Sequence, residues 1–146
     1  MMNRILRILL MLLVCSVTFP ACTRSHLTAR QEVNADLEAM HEAAVGEVAD
    51  TQRRTLLNRA INGLDAELVA FAALHADFRS DIEKLNAQPD ARREQFVELL
   101  DRFEQQRIAA RTRVTQFHFD MIAATTPREW SKLARYERAA LEAVGR

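Results

Sequence analysis

A regular spacing of apolar residues in the middle of this 146-residue chain constrains its fold more than any other feature. Apolar side chains recur in alternating steps of four and three from Leu57 to Leu85, and again from Phe96 to Ala124. This spacing places side chains on one helix face that is buried against a partner. The first row is Leu57, Ile61, Leu64, Leu68, Phe71, His75, Phe78, Ile82 and Leu85; the second is Phe96, Leu100, Phe103, Arg107, Ala110, Val114, Phe117, Met121 and Ala124. The pattern predicts two long amphipathic helices.

The segment Asn86–Asp90 separates the two rows and has the composition of a turn. Its Pro89 cannot continue one uninterrupted helix. Folding one row onto the other about this turn predicts the pairs Leu85–Phe96, Ile82–Leu100, Phe78–Phe103, His75–Arg107, Phe71–Ala110 and Leu68–Val114. We therefore predict an all-α fold, an elongated antiparallel helical hairpin or small helical bundle with a short C-terminal helix.

The two polar members of the rows, His75 and Arg107, meet in this pairing. Polar groups in an apolar seam cost stability unless they are hydrogen-bonded, yet they can determine register. Glu104, one turn before Arg107, is placed to neutralise it. We interpret the pair as a structural polar layer.

A further apolar stripe precedes the hairpin, formed by Val33, Leu37, Met40, Ala44, Val48 and Thr51. Its spacing slips relative to the row that begins at Leu57, and Gly46 and the polar Asp50–Thr55 lie at the slip. The pattern indicates either a bend or a break in one long helix.

Two capping motifs predict helix starts. Thr28 as N-cap with Gln31 at N3 forms one reciprocal box, and Thr126 with Glu129 forms the other, with proline between them at N1. The second motif opens a final amphipathic helix, and continuing the hairpin pairing places its Leu133 near Val48. We expect this last helix to cover the first.

The N-terminus has the layout of an export signal. Arg4 and Arg7 precede an apolar run, Ile8–Val17, that is about half the ~20 residues a membrane span needs. We therefore predict that residues 1–21 are a cleaved signal peptide.

The next residues, Thr18–Cys22, resemble a bacterial lipobox, with small Ala21 directly before Cys22. Acylation of Cys22 would hold the chain on a membrane, lastingly if two or three chains are attached. This interpretation makes residues 22–27 a tether and residues 28–146 the helical hairpin domain. The alternative is ordinary cleavage nearby, which releases a soluble periplasmic protein.

Composition and motifs exclude several functions. Lys and Arg together number 20 and so do Asp and Glu, which argues against a nucleic-acid footprint. No catalytic or glycine-rich motif occurs, so we expect neither enzyme activity nor a cofactor. The histidines lack ligand partners at helical spacing, so we predict no metal site.

Several apolar residues fall outside the main seam, namely Val69, Leu74, Val97, Ile108, Phe119 and Ile122. Their apolar arcs are wider than a two-helix contact buries. We expect another helix of the chain or a second subunit to cover them, which makes a homodimer one of the expected partners.

The sequence Leu27–Gln31 spells the LTxxQ signature, and Thr125–Glu129 resembles a decayed second copy. In this the chain resembles the Spy/CpxP-type periplasmic proteins, small all-helical chaperones and stress or metal-response modulators. The resemblance implies a dimer that forms a concave, client-binding cradle.

The sequence therefore predicts a lipid-anchored protein of the cell envelope, on the periplasmic side, that acts as a non-catalytic binding or scaffolding module. Its expected partners are the membrane, through the lipid on Cys22, and a protein. The alternative is a soluble, periplasmic Spy/CpxP-like chaperone or metal-stress modulator.

Overall fold

A computed structural model describes the backbone of residues 22–144 and the side chains of residues 30–144. Within this part of the chain there are four α-helices and no strands: α1 (Cys22–Glu47), α2 (Thr51–Asn86), α3 (Arg93–Ala123) and α4 (Pro127–Val144). The predicted all-α fold is confirmed.

The central hairpin consists of α2 and α3, which pack against each other along their length. The connection between them contains Pro89, and the side chain of Gln95 accepts a hydrogen bond from the Arg92 N–H at 2.8 Å at the start of α3. The rings of Phe78 and Phe103 stack with centroids 4.1 Å apart. This contact confirms the predicted antiparallel pairing at that layer.

The sequence indicated either a bend or a break in one long N-terminal helix, and the structure shows a break. α1 ends at Glu47 and α2 begins at Thr51. Asp50 is the N-cap of α2, and its carboxylate accepts a hydrogen bond from the Arg53 N–H at 2.7 Å. The polar residues at the slip therefore start a new helix, because a cap satisfies N–H groups that have no partner inside the helix.

The chain reverses direction at this break. His41 Nδ1 lies 3.1 Å from the Asn58 side-chain oxygen, although the two residues are 17 positions apart. The Arg54 guanidinium also donates to the Val48 carbonyl oxygen at 3.1 Å. α1 therefore folds back toward α2, a reversal that the sequence did not predict. α1 also lies against α4, as the sequence predicted.

The core lies where the α2–α3 pair meets the α1–α4 pair, at the end of the hairpin opposite Pro89. Its buried members are Val33, Leu37, Met40, Ala44, Val48, Leu57, Ala60, Ile61, Leu64, Leu68, Met121, Ala124, Leu133, Ala140 and Ala143. Leu133 and Val48, which were predicted to be neighbours, are both fully buried in this cluster. The apolar stripe of α1 is confirmed except at Thr51, which is exposed.

The predicted helix start at Thr28 is wrong. α1 already includes Cys22, so Thr28 lies inside the helix and cannot be its N-cap, and the predicted tether, residues 22–27, is helical. No glycine or proline occurs among those residues, so nothing prevents the helix from extending through them. Gln31 is exposed on α1, and the side chain of Thr28 lies outside the described residues.

The predicted row of α3 is shifted at one point. Leu100 is 50% exposed, whereas its neighbour Leu99 is buried and occupies the position between Phe96 and Phe103. Steps of three then four and steps of four then three both follow a heptad, so periodicity alone could not distinguish the two leucines.

Candidate interaction surface

The part of the α2–α3 hairpin that extends beyond Leu68 receives little cover from the other two helices. We call residues 69–112 the distal arm. Among its residues only Leu99 and Ala110 are buried. The other members of the seam are half-buried, because two helices shield each other on one side only. The distal arm therefore leaves apolar surface accessible along both of its helices.

An aromatic cluster forms the middle of this arm. The imidazole of His75 lies edge-on between Phe71 and Phe103, with ring centroids 4.5 Å and 5.1 Å away. Phe78 also stacks on Phe103. Edge-to-face and offset stacked rings are the favoured aromatic geometries, so the cluster contributes to the pairing of the helices beyond the area it buries.

The predicted polar layer is wrong for Arg107. Its guanidinium lies outside the seam and donates to both carboxylate oxygens of Glu104 at 2.7 Å, which raises the pKa of Arg107 and lowers that of Glu104. Because Leu99 rather than Leu100 lies in the seam, the next seam position falls one residue before Arg107, and Arg107 points outward. His75 is in the seam, where its Nε2 is buried without a hydrogen-bond partner.

An unpredicted ion pair links α2 to α3 at the base of the distal arm. Arg113 donates two hydrogen bonds of 2.7 Å to Glu67, whose side chain is almost fully covered, and these bonds raise the pKa of Arg113. The two residues border an open groove of about 230 Å³ that Phe71 and Leu74 also line. The pairing that places Phe78 against Phe103 also places Glu67 near Arg113, so the sequence contained the signal.

The second capping motif is present and joins two helices. Thr126 N–H donates to the Glu129 carboxylate at 2.7 Å, and Glu129 N–H donates to Thr126 Oγ1 at 3.3 Å. Arg53 of α2 also donates to both Glu129 oxygens, at 2.6 and 3.0 Å. The Arg53 hydrogen bonds, followed by the Thr126 N–H, lower the pKa of Glu129 to about 2. The pairing that places Phe78 against Phe103, when it is continued along the hairpin, also places Arg53 near Glu129, so the sequence contained this signal as well.

A second open groove, of about 490 Å³, lies between α3 and α4. His118 Nδ1 lies 2.8 Å from the buried carboxylate of Glu137, and the Trp130 ring contacts the imidazole edge-on at 5.5 Å. Leu141 of α4 also lines this groove. Spacing along one helix could not predict this pair, because its members belong to different helices.

The apolar residues predicted to lie outside the seam are exposed, with one exception. Val69, Val97, Ile108, Phe119 and Ile122 are exposed, whereas Leu74 is half-buried. No helix of the described chain covers the exposed ones.

Neither a metal cluster nor a membrane span is found within the described residues. No group of three or more His, Cys, Asp or Glu side chains is arranged to hold a metal ion there. None of the described helices combines the length and the apolar character of a membrane-spanning segment.

The predicted signal peptide, residues 1–21, and the side chain of Cys22 lie outside the described residues. The lipidation site therefore stays a prediction from the sequence.

The described chain is thus a small all-α helical bundle with a projecting two-helix arm. No family model, no curated protein and no solved structure matches it.

Proposed function

We propose that this protein is a lipid-anchored component of the cell envelope whose helical arm acts as a non-catalytic binding or scaffolding module. The observation that carries the proposal is the distal arm, where apolar and aromatic side chains remain half-buried along both helices. Accessible apolar surface of this kind is typical of sites that bind another macromolecule. An elongated two-helix arm offers faces to a partner, whereas small-molecule sites are concave pockets with a few precisely placed polar groups.

The N-terminal pattern supports the anchor, and the length of the arm supports a scaffold. Acylation of Cys22 would attach the membrane directly to α1, since that helix already includes this residue. The part of α2 that belongs to the distal arm, residues 69–86, has 18 residues and is therefore ~27 Å long. This length would let the arm contact a partner beyond the core.

The anchor is tested by acyl labelling of the full chain in a bacterial host. Labelled palmitate should enter the natural chain and sediment with the membranes, whereas a Cys22→Ser chain should remain unlabelled. Cys15→Ser is the matched control, because it removes a thiol from the predicted signal peptide and should leave labelling intact. Equal labelling of the natural and Cys22→Ser chains would contradict the anchor.

The binding role is tested by placing a photoreactive amino acid on the arm. Ala70 borders the groove at the base of the arm, and Gln52 is an exposed residue of the same helix beside the core. Irradiation of cells should cross-link the Ala70 position to another envelope protein and leave the Gln52 position unlinked. Equal yields at both positions would refute an arm-specific interaction.

The aromatic cluster also favours the chaperone alternative, because half-buried rings suit the apolar segments of unfolded proteins. Suppression of client aggregation by the purified chain, lost in a Phe71→Ser variant and kept in a Gln52→Ser variant, would support it. A chain that leaves aggregation unchanged would remove it.

A further inference from the structure

α3 carries a second apolar row on the side that faces away from α2. Five of the nine large apolar residues that are exposed in the described chain belong to it: Val97, Leu100, Ile108, Phe119 and Ile122, at 37–58% exposure. Glu104, Arg111 and Thr115 complete its spacing. At 3.6 residues per turn the row lies about 125° around the helix from the buried row. We call these eight residues the outer row.

The spacing of the outer row is the same when it is read in either direction. Its steps are three, four, four, three, four, four and three, and it repeats every 11 residues from Val97 through Ile108 to Phe119. A repeat of 11 residues keeps a row close to one side of a nearly straight helix. The outer row is therefore continuous enough to contact a second helix over its whole length.

A row that reads the same in both directions is complementary to a second copy of itself. Turning a second α3 about a two-fold axis between Ala109 and Ala110 pairs Val97 with Ile122, Leu100 with Phe119, Glu104 with Thr115 and Ile108 with Arg111. Both ends of the contact then place apolar side chains on apolar side chains. This self-complementarity is the property of an interface between identical subunits.

The charges of the outer row fit the same arrangement. Arg111 has no ion pair inside its own subunit within the described residues, and the antiparallel pairing brings it within one turn of Glu104 of the partner subunit. Charge pairs that bracket an apolar seam help to select the partner and its orientation. A membrane surface would not present one carboxylate and one guanidinium at matching positions, so these charges favour a second copy of the chain as the partner.

We propose that the outer row is a homodimer interface, in which two α3 helices pair antiparallel about an axis between Ala109 and Ala110. The row spans 26 residues, about 37 Å from first to last, and a helix face is about 10 Å wide, so each copy contributes roughly 400 Å². Two such strips total roughly 800 Å², which is below the ~1,200 Å² of standard interfaces and in the range of weak ones, so the dimer should dissociate on dilution. This proposal does not depend on the membrane anchor.

The first test is sedimentation of the full chain carrying Cys15→Ser and Cys22→Ser, from about 5 to about 500 µM, a range suited to weak interfaces. The average mass should rise toward a dimer. Ile108→Lys places a cation beside Arg111 of the partner subunit at the axis, so it should raise the dimer dissociation constant at least about tenfold. Gln105→Lys, on the same exposed helix but outside the outer row, is the matched control and should leave it unchanged.

The second test fixes the register with single cysteines in the same background. Ile108→Cys lies next to the axis and should form a disulfide with its own copy. Val97→Cys should not, since the two copies of that residue are about 37 Å apart along the helices, but it should link to Ile122→Cys in a mixture of the two chains. Helix content by circular dichroism verifies that each variant is folded.

The proposal is overturned if the chain remains a monomer at every concentration, or if Val97→Cys links to itself as readily as Ile108→Cys. A monomer whose outer row cross-links to a different protein would also overturn it. These outcomes are separate from the anchor, because acyl labelling at Cys22 uses a different residue and readout.

Discussion

His75 places a polar atom without a hydrogen-bond partner in an otherwise apolar seam. Its ring makes good aromatic contacts, but its Nε2 is buried without a partner. An unsatisfied buried polar atom costs about 1–3 kcal/mol. We predict that His75→Leu raises the free energy of unfolding by about 1 kcal/mol, after some loss of ring contacts. Thermal melting measures the difference.

The matched control for this change is His41→Leu. His41 is also half-buried, but its Nδ1 is hydrogen-bonded to Asn58. Its replacement should lower the melting temperature or leave it unchanged. A His75→Leu chain that melts below the natural protein would show that the imidazole has a partner or a role beyond these contacts.

Two helical glycines have opposite surroundings and give opposite expectations. A Cβ added at Gly63 would lie 2.3 Å from the ring of Phe117, whereas one at Gly46 would meet nothing within 4 Å. We predict that Gly63→Ala destabilises the protein by about 1–3 kcal/mol, because the half-buried ring must move. Gly46→Ala should instead stabilise it by up to about 1 kcal/mol, through helix propensity. Chemical denaturation measures both, and equal effects would contradict the packing at Gly63.

At the scale of helices, the Glu129 capping box shows how a local motif becomes a contact between elements. The carboxylate satisfies an N–H at the start of α4 and also binds Arg53 of α2. Sequence spacing predicted the first contact. The second follows from the antiparallel pairing of α2 and α3, which brings the start of α2 to the end of α3 and therefore to the start of α4.

This site predicts a dependence of stability on pH. The pKa of Glu129 is about 2 in the folded protein and 4.5 ordinarily. Because folding lowers the pKa, the contribution to stability is complete above about pH 4.5 and is lost as the pH falls toward about 2. The natural chain should melt well above Glu129→Gln at pH 6, and the gap should close over that acidic interval. A gap that stays constant with pH would contradict the ion pair.

The shift between Leu99 and Leu100 is the clearest limit of prediction for an element. The sequence correctly indicated two antiparallel helices and the layer of Phe78 and Phe103. It could not choose between adjacent leucines, and the wrong choice carried Arg107 into the seam. Heptad periodicity defines a face only to within about one residue, so a polar side chain at the edge can be placed on either side.

At the scale of the whole molecule, cover is distributed unevenly. Fifteen buried apolar residues form one cluster where the α2–α3 pair meets the α1–α4 pair. The distal arm has only two buried residues, Leu99 and Ala110, and neither belongs to this cluster. Regions with few buried contacts open locally at lower free energy than the core does. The arm should therefore be the first part of the described chain to open.

Hydrogen exchange tests this expectation. Amides of residues 72–86 in α2 should exchange at least about tenfold faster than those of residues 57–68 in the same helix. The comparison is matched, because both segments are helical and close in sequence. Equal exchange rates in the two segments would show that the arm is covered in solution. The measurement would then be repeated at a lower protein concentration, at which the proposed dimer dissociates.

Local periodicity and hydrogen bonds within a few residues were sufficient to predict the class of fold, the hairpin about Pro89, the cap at Thr126 and the apolar stripe of α1. The packing of whole helices, by contrast, decided that α1 turns back on α2. It also decided that His118 meets Glu137 and that Arg107 points outward. These depend on the angle at which whole helices pack, and that angle is set by the shape and volume of the shared core, which no single helix carries in its own sequence.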